Sequence, residues 1–118
     1  MSNATQLLIG QRETRVILTK ISRGPRPHVT LRVWNAALAH TAPDTGALEA
    51  SGTRLATVAG ISQQAVCQAL ARLVETGALI REDRGRYRIR PTLMWKGELA
   101  KRAAAEKLTP PLRLVEPA

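Results

Sequence analysis

Glutamine and arginine, placed in two adjacent stretches, set the chemistry open to this chain. Gln63, Gln64 and Gln68 fall within the first two turns of a helix expected over residues 62–76, on one side with Cys67, Ala71 and Arg72. A glutamine amide both donates and accepts, so it can bond the major-groove edge of adenine. The leading part of that face holds no acidic residue, and Glu75 lies far down the helix. Just beyond it, Arg81, Arg84, Arg86, Arg88 and Arg90 are opposed only by Glu82 and Asp83. A guanidinium stays charged at any physiological pH and matches phosphate geometry. This is chemistry of recognition.

Bond-making chemistry finds no support. The sequence offers no paired carboxylates, no Ser/His/Asp arrangement and no phosphate-cradling glycine loop, so it does not read as an enzyme. A single cysteine, Cys67, rules out an intramolecular disulfide and any cysteine-based zinc site. His28 and His40 are too few and too far apart to hold a metal by themselves. No metal, cofactor or small-molecule ligand is expected. Lys and Arg number 18 against nine Asp and Glu, a net charge of +9 that points to a polyanion. Nucleic acid stands ahead of membrane, because no apolar run approaches spanning length and the N-terminus lacks a signal-peptide pattern. The expected setting is a bacterial cytoplasm, with the protein on the nucleoid when bound to DNA.

The elements that position these residues follow from local patterning. Residues 1–13 read as a short helix or a loose arm. TRVILTK at 14–20 is rich in β-branched residues and predicts a short strand. SRGPRPH at 22–28 predicts an extended connector, whose Arg23 and Arg26 form a candidate basic arm for the minor groove. From 30 to 40, Leu31, Trp34, Ala37 and Leu38 recur at helical spacing. Residues 42–46 break that helix, and ALEAS at 47–51 suits a first small strand.

Two helices then follow, over 53–59 and 62–76, with almost no chain between them. Such a crossing needs a small contact residue, a glycine in the turn and an apolar stripe on the second helix. Ala56, Gly60, Ile61, the cap Ser62, and Val66, Ala69, Leu70 and Leu73 supply these in order. Gly77 ends the second helix. ALIRE and RYRIR form a hairpin around a turn at 83–85, stopped by Pro91. Alternation places Tyr87 and Ile89 inward and Arg86, Arg88 and Arg90 outward to solvent. A final helix spans 97–108, followed by a proline-marked tail. With Phe absent, Trp34 and Trp95 are the largest candidate core residues.

The whole is α+β: a winged helix-turn-helix, with a helical core and a small antiparallel β-hairpin wing. The organisation is an N-terminal arm and connector (1–28), the winged domain (29–97), and a C-terminal helix with its tail (98–118). Residues 55–97 resemble the winged-helix segment of bacterial plasmid replication proteins of the RepL type. The resemblance is carried by LVETGALIREDRGRYRIRPTLMWKG: a leucine-containing helix end, Gly77, the wing motif Arg84-Gly85-Arg86-Tyr87, Pro91, and a closing Trp95-Lys96-Gly97. It implies double-stranded DNA binding and a mobile-element setting. Small winged-helix repressors of plasmids and phages are similar over the same stretch.

The expected function is sequence-specific binding of double-stranded DNA, as an autoregulatory transcriptional repressor of a plasmid, phage or other mobile element. The alternative is a replication-initiation protein at a plasmid origin, and an RNA-binding module ranks lower. Ser62, Gln63, Gln64, Cys67, Gln68 and Arg72 are assigned to the major groove, and Arg81, Arg84, Arg86, Arg88 and Arg90 to adjacent phosphates. A homodimer reading two half-sites is expected, through residues 5–20 or 97–108.

Overall fold

A computed structural model describes residues 7–83 and 85–110 of the chain. The tail beyond 110, the first six residues of the expected arm and the wing residue Arg84 lie outside them. The element order is β1 (Leu7–Ile9), α1 (Gln11–Arg23), α2 (Pro27–Ala39), α3 (Gly52–Ala59), α4 (Gln63–Thr76), β2 (Leu79–Asp83), β3 (Arg86–Ile89), β4 (Met94–Lys96) and α5 (Leu99–Lys107). The protein is α+β, and α2, α3, α4 and the β2–β3 hairpin form a winged helix-turn-helix.

The segment expected as a strand, 14–20, lies inside α1. Its apolar residues are spaced for a helix: Val16 and Ile17 are adjacent, Ile21 follows one turn later, and all three are buried. As a strand this run would turn Val16 and Ile17 to opposite faces, whereas the helix buries both. Glu13 in the first turn and Lys20 and Arg23 in the last also suit the helix dipole.

The extended connector is correspondingly short. Pro27 occupies the first turn of α2, where a missing N–H goes unused. Only residues 24–26 separate α1 from α2, and Arg26 holds a left-handed backbone with φ +47°.

Around the central helices, Thr41 bridges Leu48 and Ala47 bridges Arg88, so the small strand expected at 47–51 is reduced to isolated pairings. The Leu48 N–H still donates to the Tyr87 carbonyl, and Ile89 N–H to Gly46, which lays this segment along β3. In the hairpin, Leu79 faces Ile89, Ile80 faces Arg88 and Arg81 faces Tyr87, with an irregularity between Arg81 and Asp83. A second two-stranded sheet pairs β1 with β4 and sets Leu8 opposite Trp95. Neither strand of that pair was marked in the sequence.

The core lies between α1, α2, α3 and α4 and the inner face of the hairpin. Ile17, Ile21, Val33, Trp34, Leu55, Val66, Leu70, Leu73 and Ile89 form it. Trp95 is also fully enclosed, its indole N–H donating to the Glu98 carbonyl. Each large aliphatic side chain removed from water contributes roughly 1.5–3 kcal/mol. The docking of α4 thus rests on Val66, Leu70 and Leu73.

Candidate nucleic-acid interface

The face that α4 offers is fixed by the stripe it buries. Ala65, Val66, Ala69, Leu70 and Leu73 turn inward, which leaves Gln63, Gln64, Cys67 and Gln68 exposed on the opposite side. The turn before α4 holds the helix at a set angle. Gly60 takes φ +71°, a left-handed conformation open to glycine at low cost, and its N–H donates to the Ala56 carbonyl. Ile61 packs partly buried against the core. Ser62 is committed to capping: its Oγ accepts the Ala65 N–H at 3.1 Å. Ser51 caps α3 in the same way through Arg54 N–H.

The glutamines do not stand in equivalent surroundings. Gln63 Nε2 lies 2.8 Å from Thr53 Oγ1, which ties the start of α4 to the start of α3. Gln68 Oε1 accepts from Arg26 Nη1 at 3.5 Å. Gln64 is exposed between them in the sequence. Arg26, expected only as part of a basic arm, is therefore placed beside the amide row of α4. Arg23 is exposed where α1 ends.

Arg72 departs from the expected reading. Its Nη2 donates to the Lys20 carbonyl at 2.7 Å and its Nη1 pairs with Glu75 at 3.3 Å, while Nε is buried with no partner. The guanidinium lies across Gly24, where any Cβ would come within 2.4 Å of it. Arg72 fastens α4 to the end of α1. Its charge satisfies a helix C-terminal carbonyl, and the side chain lines one recess with Gln68 and Ala69.

The wing departs further. Three outward cations on β3 were expected, yet Arg88 and Arg90 are 9% and 7% exposed. The outer strand face is met by Thr109 and Pro110, which follow α5. Arg88 Nε meets Glu82 at 3.0 Å and its Nη1 donates to Thr109 Oγ1 at 3.0 Å. Arg90 Nε donates to the Gly77 carbonyl at 2.6 Å, and Nη1 to the Pro110 carbonyl. Burial, and then the nearby Arg88 charge, lowers the Arg90 pKa from its ordinary value. The alternation itself is present; the outer side is simply not solvent. Arg81 and Arg86, toward the hairpin tip, remain exposed.

The sequence reading missed two residues on this side. Thr53 holds Gln63, and Arg54 is exposed in the first turn of α3. The spacing of Ser51 from Arg54 marks a helix start, a signal that could have placed both at the start of α3 beside the amide row. Cys67 is a free, exposed thiol. Among the described residues no group of three His, Cys, Asp or Glu is placed to hold a metal, and no helix is long and apolar enough to cross a membrane.

The family model described as Firmicute plasmid replication protein (RepL) matches residues 42–106, from the bridge segment before α3 through α4 and the wing into α5. No curated protein and no solved structure matches.

Proposed function

The chain belongs to the Firmicute plasmid replication protein (RepL) family, and on that premise we propose that it binds double-stranded DNA sequence-specifically at a plasmid replication origin. The observation that carries the reading is the exposed amide row of α4, Gln63, Gln64 and Gln68, held at a set angle by a tight turn and flanked by cations. Amides at the leading half of such a helix meet base edges, while guanidinium groups beside them meet phosphate. Arg81 and Arg86 on the wing tip, with Arg26 and Arg54 on either side of the helix pair, are the proposed phosphate contacts. The action is non-covalent and takes place in the bacterial cytoplasm. Two copies reading two half-sites complete the proposal, with α1 and α5 as interface candidates, since Leu18, Leu99 and Leu108 are exposed there.

The family's description favours replication over the repressor role. Both require the same DNA face and differ in the location of the bound site. Nuclease footprinting on the plasmid that carries the gene tests this. Protection within the origin is expected. Protection confined to the gene's own promoter would replace the origin reading with autorepression, and uniform protection would remove sequence specificity.

A further inference from the structure

We propose that the outer face of α1 is a second DNA contact, in which Arg12, Arg15 and Arg23 follow the phosphates beside the groove that α4 enters; the proposal rests on the reading of α4 as a DNA-binding helix. The net charge of the chain is concentrated here. Residues 11–32 hold six Lys and Arg against Glu13 alone, so they carry +5 of the total +9. A charge of that sign and density calls for a polyanion. α1 precedes the matched residues 42–106, so the family likeness assigns it no role.

Burial of Val16, Ile17 and Ile21 fixes which side of α1 turns outward. Arg12, Arg15, Thr19 and Arg23 succeed one another at intervals of three or four residues, which sets them in one row along the helix. The three arginines are exposed, and the row holds no carboxylate; Glu13 lies outside it, with its carboxylate against Gly10. Fold stability does not account for the row. Arg12 sits in the first turn, at the positive end of the helix dipole, where a cation is disfavoured. Arg12 and Arg15 are like charges three residues apart, which mildly destabilises a helix. Among the described residues neither has an ion-pair partner.

The row runs into the face that α4 offers. Just past Arg23, Arg26 Nη1 lies 3.5 Å from Gln68 Oε1. Arg72 of α4 donates to the Lys20 carbonyl at 2.7 Å, so α1 and α4 meet DNA as one unit. At about 1.5 Å per residue, Arg12 to Arg23 spans roughly 16 Å, the axial length of about five base pairs. A row of guanidinium groups without carboxylates, continuous with the amide face, complements one phosphate strand. Leu18 stands beside the row and is not part of it. With α1 against DNA, α5 remains the face for a second copy.

The test compares the full chain with an Arg12→Gln, Arg15→Gln double variant on random duplex, where base reading plays no part, at four salt concentrations. Loss of two phosphate contacts lowers the slope of log affinity against log salt by about 1.8. Lysine at both positions keeps the charge and is expected to keep the slope. Lys107→Gln removes one exposed charge from α5, and its slope is expected to match the unmodified chain. An unchanged slope in the double variant overturns the proposal. So does a fall in Lys107→Gln half as large as that of the double variant, because the effect then belongs to net charge alone. Selection from a random duplex pool separates α1 from base reading. The double variant is expected to enrich the same motif as the unmodified chain, and a lost motif would overturn a purely phosphate role. Should the unmodified chain enrich no motif, the base-reading function of α4 fails, while the salt slope still decides for or against α1.

Discussion

Arg90→Ala separates a wing arginine that holds the fold from one that meets DNA. Arg90 is nearly enclosed and donates to two carbonyls, Gly77 at the end of α4 and Pro110 beyond α5. A hydrogen bond from a charged donor contributes about 1.5–3 kcal/mol. The net loss is smaller than two such bonds, because the charge is disfavoured by burial and by Arg88, and truncation relieves both. We expect about 2 kcal/mol of destabilisation, a fall in melting temperature on the order of 8 °C for a domain of this size. The salt slope of duplex binding should not change. Arg86→Ala should show the reverse: unchanged melting, and a salt slope smaller by about 0.9 if one phosphate contact is lost. Thermal melting and binding titrations at four salt concentrations read both variants. If Arg90→Ala leaves melting unchanged while lowering the salt slope, the strand face is a DNA surface and the covering of β3 by residues 109–110 is wrong.

Gln64→Ala should reduce discrimination between selected and random duplex by roughly 1–3 kcal/mol if the amide contacts a base in two places; equal loss on both duplexes would remove it from the base-reading set. Leu73→Ala, at a position with no exposed surface, should cost about 2–5 kcal/mol in denaturant unfolding, and a smaller change would show that α4 is docked elsewhere. Gly10→Ala would bring a Cβ within 2.0 Å of the Thr92 carbonyl, so the β1–β4 pair must shift; loss of protection of the β1 and β4 amides from hydrogen exchange is the expected outcome, and full protection would contradict it.

The helix-turn-helix was legible because its constraints are local. Gly60, the cap Ser62 and the stripe Val66, Ala69, Leu70 and Leu73 sit within one short run, and each answers a steric or hydrogen-bonding demand of the turn. The outer face of the wing was not legible. What covers Arg88 and Arg90 arrives from Thr109 and Pro110 through polar contacts, and no apolar pattern in α5 announces it; α5 buries none of its own residues. Non-local pairing hid β1, whose short Leu-Leu-Ile run takes its meaning only from Met94, Trp95 and Lys96 far along the chain. In α1, β-branched Val16 and Ile17 suggested a strand, and tertiary burial overrode that preference. Arg72 misled because its position on α4 suits the groove, while the end of α1, with the open space at Gly24, captures its guanidinium.

The central claim is that the amide row of α4 reads duplex sequence, and selection from a random duplex pool by the purified chain, run in parallel with a Gln63→Ala, Gln64→Ala, Gln68→Ala triple variant, tests it most directly. We predict that the unmodified chain enriches a defined motif. The triple variant should keep salt-dependent binding to any duplex and lose the motif. Enrichment of the same motif by both proteins would contradict the account and move sequence reading off α4.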